Sequence, residues 1–262
     1  MRRLRNNINR VVLLILFFGL SWSCVEKDID PSDPSAAFVR ARESYDNEMF
    51  EIAIQKLGEF KSRFPYSKHA PDAELLIADS HYQLGHYAEA ASAYELFVKL
   101  HPKHEKADFA QYRVGESYWA EAPEEVDREQ EYTLKAIAEW EKLLVTYPEG
   151  EWSKKAKNLL DKGQRRVAEH AEFIAKFYCK QRIYHACAFR YIELSQQFPQ
   201  FTDLTLKAYE NAALAFDKLS KNFPKEDPID TNLYFKSMTP EELSSKATEL
   251  RAKAVQLREK TN

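Results

Sequence analysis

The residues able to do chemistry in this chain are few, and their spacing argues against catalysis. Seven histidines occur: His69, His81, His86, His101, His104, His170 and His185. His101 and His104 straddle Pro102, and neither HExxH nor CxxC accompanies them. His81 and His86 stand five apart, which poorly places two ligands on one helical face. There is no glycine-rich phosphate loop and no GxSxG. The many acids are spread around polar faces, so nothing calls for a metal or any other cofactor. What remains is cysteine. Cys179 and Cys187 lie eight residues apart, on either side of an expected helix turn. Each also fills a packing slot, where a buried thiol behaves as a small hydrophobe. Packing is the favoured reading, and a disulfide is the alternative in an oxidising compartment.

The third cysteine has a different setting. Residues 1–10 carry four arginines and no acid, residues 11–20 (VVLLILFFGL) are apolar, and Ser21 and Ser23 precede Cys24. This order reads as a secretory signal. The apolar run is too short to span a bilayer, which takes about 20 residues. A cysteine directly after small residues resembles the bacterial lipobox, which implies acylation of Cys24. An ordinary cleaved signal and an uncleaved anchor are the alternatives. Loss of residues 1–23 removes four arginines and no acid, moving the formal charge from −3 to −7. An acidic body does not suit nucleic acid. Val25 after the cysteine, by analogy with the enteric sorting rule, points to the outer membrane. Residues 24–34 read as a lipidated cysteine and an acidic, Pro- and Ser-containing tether. Asp33 or Ser35 is expected to cap the first helix of the body.

The elements behind these residues follow from a repeated spacing. Ala53, Ala90, Ala136 and Cys187 are each followed 12 residues later by a proline: Pro65, Pro102, Pro148 and Pro199. Large residues recur four, seven and eleven positions after the small one: Leu57/Phe60/Phe64, Tyr94/Phe97/His101, Trp140/Leu143/Tyr147 and Tyr191/Leu194/Phe198. Steps of four, three and four trace one helical face, which the proline then ends. A preceding helix shows as a small residue with an aromatic four later, in Ala41/Tyr45, Ala78/Tyr82, Gly115/Trp119 and Ala212/Phe216; Ala175/Cys179 fills the same slots. With only 6 glycines, a β-rich fold is disfavoured. The expectation is an all-α superhelical array of about five helix pairs, near 35–66, 70–103, 105–149, 154–200 and 203–258. The third pair carries nine extra residues within AEAPEEVDREQEY, where Asp127 and Gln130 suggest a capping box for the next helix. The last pair has a long connection, 223–240. Its final helix starts at Thr239-Pro240-Glu241-Glu242, a good N-terminus, with a charged tail expected to fray.

This grammar resembles tetratricopeptide repeats, most closely in the first two units, including Gly85 and Tyr87. One stretch is more specific. VAEHAEFIAKFYCKQRIYHACAFRY (167–191) resembles the signature of the BamD family, the lipoprotein subunit of the outer-membrane β-barrel assembly machinery. Ala168, Glu172, Phe177, Tyr178, Tyr184, Ala186, Cys187 and Arg190 carry the likeness, and Val126-Asp127-Arg128 fits the insertion. The resemblance implies a non-enzymatic lipoprotein of the outer membrane facing the periplasm. Its implied partners are the POTRA domains of the barrel subunit, unfolded outer-membrane proteins and other assembly lipoproteins. It also implies a repeat body over 35–260, with a substrate-facing N-terminal half and a partner-facing C-terminal half. The alternative is another periplasmic tetratricopeptide adaptor, coordinating cell-wall and outer-membrane processes.

In such a superhelix the first helix of each pair lines the groove. Its inward positions here give Arg42, Tyr45 and Asp46, then Asp79, Tyr82 and Gln83, then Glu116, Trp119 and Ala120. Arg42, Tyr45, Asp79, Tyr82, Gln83, Glu116 and Trp119 are the candidate substrate-binding residues, with a core role open for the three aromatics. Arg190 and Tyr184 are the candidate partner-binding residues. Arg190 falls near the packed face, so it is expected either in an internal salt bridge or against the barrel subunit.

Overall fold

The spacing from small residue to proline frames the second helix of four successive pairs. The computed structural model describes residues 32–222 and 238–261. Cys24, the signal and most of the tether lie outside the described residues, as does most of the connection 223–240.

Ten helices and no strands occur among the described residues. They are α1 Pro34–Asp46, α2 Phe50–Arg63, α3 Ala70–Gln83, α4 Tyr87–Leu100, α5 Ala107–Glu121, α6 Glu131–Thr146, α7 Glu151–Lys180, α8 Tyr184–Gln197, α9 Thr202–Asn222 and α10 Pro240–Thr261. The fold is all-α, five helix pairs stacked in sequence order. In α2, α4, α6 and α8 the small residue and the large ones four and seven later are all at most 3% exposed. The residue eleven later is the C-cap in every case: Phe64, His101, Tyr147 and Phe198. Each cap donates its N–H to the carbonyl four residues back at 2.8–3.0 Å. Their φ lies between −127° and −131°, outside the helical region. The following proline favours that extended conformation in the residue before it.

The turn between the helices of a pair also repeats. Glu48, Gly85 and Arg182 all take positive φ, at 58°, 76° and 62°. The next residue's N–H bonds back across the helix end: Met49 to Ser44, His86 to His81 and Ile183 to Tyr178. This six-to-one closure satisfies the last carbonyls. Only the second pair places glycine where the left-handed backbone favours it.

Each helix packs chiefly on its neighbours in sequence. The first helices of adjacent pairs also touch: α1 with α3, α5 with α7, and α7 with α9. That closer approach puts the first helices on the inner side of the curve.

Three expectations are corrected. No capping box forms at Asp127. Helix α6 starts at Glu131, and Gln130 is buried, its amide donating to the Glu125 and Arg128 carbonyls at 3.0 Å each while its oxygen accepts from Thr133 at 2.7 Å. The insertion is held against α7 instead, by Arg166 on the Pro123 carbonyl (3.1 Å) and His170 Nδ1 on the Val126 carbonyl (2.6 Å). Cys179 and Cys187 form a disulfide, with Cα atoms 5.0 Å apart across the α7–α8 turn. The eight-residue spacing brings both side chains back to one point, and the packing slots then put the sulfurs in contact. The tail of α10 stays helical to Thr261 because it docks on α9: Leu243, Ala247, Leu250 and Ala254 are buried, and Arg251 and Arg258 reach Asp217 and Glu210. Its start follows the expectation as a reciprocal box, the Glu242 N–H to Thr239 Oγ1 (3.2 Å) and the Thr239 N–H to Glu242 (2.6 Å). At the other end Asp33 caps α1 through the Ser35 N–H (2.9 Å), with proline at the first helical position.

Candidate inner-face binding site

Residues exactly 34 apart meet on the inner face of the first three pairs. Tyr45 on α1 donates its hydroxyl to Asp79 Oδ2 on α3 (2.5 Å), and Arg113 on α5 donates Nη2–H to Asp79 Oδ1 (2.7 Å). Tyr94 of α4 donates to the same Oδ1 (2.8 Å) and accepts from Arg113 Nε (3.2 Å). Arg113 Nη1 reaches Glu116 (3.1 Å), whose other oxygen accepts from Tyr112 (2.7 Å). The guanidinium lies 3.6 Å from the centroid of the Tyr82 ring, a cation–π stack. Gln83 donates to Asp79 Oδ2 at 3.4 Å. One carboxylate thus collects donors from four helices, and one arginine joins α3, α4 and α5.

The electrostatics follow from burial and pairing. The Asp79 and Arg113 side chains are only 13% and 12% exposed. Burial alone would raise the Asp79 carboxyl. Hydrogen bonds from Tyr45 and Tyr94 and the Arg113 cation outweigh it and hold the group below the usual carboxylate range. Burial works against the charge of Arg113, but Tyr94, Asp79 and Glu116 more than offset it, and the cation is held more firmly than usual. Burial and their carboxylate partners push the hydroxyls of Tyr45, Tyr94 and Tyr112 up. At neutral pH the centre of the cluster is therefore the Arg113 cation against the Asp79 carboxylate, bordered by neutral phenols. Three of the five N–H donors of Arg113 are engaged among the described residues.

Of the candidate groove residues, Tyr45, Asp79, Tyr82, Gln83 and Glu116 join this cluster. Arg42 stands outside it, exposed and paired with Asp46 on its own helix (3.3 Å). Trp119 lies further along, half-buried against Trp140 (5.9 Å) with the Arg166 guanidinium 3.7 Å from its ring. Tyr45 and Tyr82 are half-buried, each with an edge contact to the next helix, Phe50 (5.7 Å) and Tyr87 (5.1 Å). They fill the joints between helices while part of each ring stays exposed.

Sequence reasoning missed Arg113, the hub. Its signal was the 34-residue interval through Tyr45, Asp79 and Arg113, one helical turn out of step with the small-residue frame. In the fourth pair, Arg190 is 44% exposed and pairs with Glu193 on its own helix (2.8 Å). The internal salt bridge is a surface pair, and the arginine faces outward. Tyr184 opens α8, half-buried against the C-terminal core. Between α7, α9 and the insertion lies a second inner cleft of 260 Å³, bordered by Val126, Phe173, Leu204 and Lys207. Among the described residues no group of histidines, cysteines and acids could hold a metal ion, and no helix is long and apolar enough to cross a membrane.

Residues 30–221 match the family described as YfiO, outer membrane lipoprotein. The chain is similar to the outer membrane protein assembly factor BamD of Vibrio cholerae, 27% identical over 222 residues covering 81% of this chain and 90% of that one. BamD of Neisseria meningitidis serogroup A is 24% identical over 230 residues, 80% of this chain and 85% of that one. A thermophilic tetratricopeptide protein of Thermus thermophilus superposes with a TM-score of 0.39 at 16% identity, covering 70% of this chain and 100% of that structure.

Proposed function

The chain belongs to the YfiO family of outer membrane lipoproteins, and from that premise we propose that it is a binding subunit of the machinery that inserts β-barrel proteins into the outer membrane. In this reading it has no catalytic step. Cys24 carries the lipid that holds the body at the periplasmic face of that membrane. The inner face of the first three pairs receives unfolded β-barrel proteins, and the C-terminal half, through Tyr184 and Arg190, binds the POTRA domains of the barrel subunit.

The observation that carries the substrate half is the cluster around Arg113. A last β-strand of an unfolded barrel protein is extended, alternates apolar with polar side chains and ends in an aromatic. Such a segment needs ring faces to stack on and donors for its backbone carbonyls. Tyr45 and Tyr82 supply the rings, and Arg113 and Gln83 supply donors at fixed positions. Because Asp79 and Arg113 are locked by their partners, little side-chain freedom is lost when a peptide arrives.

The test is binding of a labelled last-strand peptide to the full chain, followed by fluorescence anisotropy. Tyr45→Ala with Tyr82→Ala is expected to weaken binding about tenfold or more, the loss of ~1.4 kcal/mol or more of stacking. Undiminished binding by the double variant, with its fold intact by circular dichroism, would remove this face from the account.

A further inference from the structure

Another cleft, of 290 Å³, opens between α1 and α2 at the N-terminal end of the array. Its floor is apolar: Ala37, Ala41, Phe60 and Phe64. Its rim carries Arg40, Lys56 and Arg63 against the single acid Glu59. Among the described residues none of the three cations has an ion pair, and all three border one apolar floor. Three unpaired cations over phenylalanine rings suit an acidic segment with an apolar residue in it.

The chain carries such a segment next to the cleft. Residues 25–32, VEKDIDPS, hold Glu26, Asp28 and Asp30 against one lysine, with Ile29 between the two aspartates. The segment joins α1 at Pro34, and the cleft begins at Ala37, one helical turn further on. Eight residues in extended form reach about 26–29 Å. α1, with 13 residues, is about 20 Å long. The segment can therefore turn back and run the whole length of the cleft.

We propose that residues 25–32 dock in the cleft between α1 and α2 of their own chain, Ile29 on the phenylalanine floor and the flanking acids on Arg40, Lys56 and Arg63. Charge complementarity and the short connection favour this occupant over any partner, because an attached segment meets the cleft at millimolar effective concentration. Under the reading of Cys24 as lipid-bearing, docking would set the first helix pair directly against the membrane rather than at the end of a free tether.

The test uses the full-length protein purified from membranes in detergent, with Ile29→Cys paired in turn with Glu59→Cys in the cleft and with Glu51→Cys outside it. Oxidation rates are followed and the cross-links mapped by peptide mass, so that lipidation of Cys24 is scored separately. The docked segment is expected to cross-link to position 59 about tenfold faster than to position 51. That preference should vanish in 1 M salt, where the screening length is ~3 Å, and in the Arg40→Glu/Lys56→Glu background. Equal rates at the two positions, a preference indifferent to charge reversal, or cross-links joining two copies of the chain would overturn the proposal.

Discussion

Replacing Arg113 by methionine tests the inner-face cluster at its hub. The substitution keeps most of the apolar stem and removes the guanidinium. Asp79 then keeps two tyrosine donors but loses its cation, Glu116 keeps Tyr112, and Tyr82 loses its stacking partner. A fully buried charge stripped of its partner costs about 3–5 kcal/mol. Asp79 is 13% exposed and still doubly hydrogen-bonded, so the expected loss is smaller, about 2–4 kcal/mol. For a chain of this size 1 kcal/mol moves the midpoint by about 2–4 °C, so the melting temperature should fall by about 4–16 °C. Differential scanning calorimetry reads this directly. Arg113→Met/Asp79→Asn should melt above the sum of the two single losses, because the residues interact. The acid limb gives a signed check. The Asp79 carboxyl is held low in the folded state, so its contribution is present above the unfolded value of about 3.9 and is lost as pH falls through the folded value. In Arg113→Met the depression shrinks, and so does this part of the acid dependence. A shift under about 1 °C, or strict additivity in the double variant, would refute the view of Arg113 as the joint of three pairs.

Three further outcomes follow from single positions. Glu48→Gly should stabilise the protein by about 0.5–1 kcal/mol in chemical denaturation, because a left-handed backbone there penalises a side chain, and Arg182→Gly should do the same. Gly115→Ala should cost about 1–3 kcal/mol in the same assay, since a Cβ there runs into the buried Trp140 indole. Arg190→Glu should leave the melting temperature nearly unchanged, as a surface pair contributes about 0–1 kcal/mol, while weakening capture of the barrel subunit; a large melting shift would place the residue in the core's support instead.

Much of the architecture is legible in the chain because its signals are local. A small residue, two large ones at helical spacing and a proline set four helices and their caps, since burial and the stop act within one helix. The box at Thr239 and Glu242 is local in the same way. What escapes is set between elements. Arg113 lies one turn off the small-residue frame, and only the packing of α3 and α5 on α4 between them brings it onto Asp79. Asp127 and Gln130 have the capping spacing, yet the buried Gln130 side chain is used on insertion carbonyls, which leaves the helix to begin at Glu131. The bond between Cys179 and Cys187 depends on how closely the α7–α8 turn closes. The charged end of α10 looks like a fraying tail until α9 offers Glu210 and Asp217 across the contact.

The most direct test of the central claim is to purify the tagged chain from detergent-solubilised membranes and identify what accompanies it. The account predicts a POTRA-bearing β-barrel protein in near-equal amount, reduced for Arg190→Glu. Cell-wall proteins in its place, with no such barrel, would contradict it.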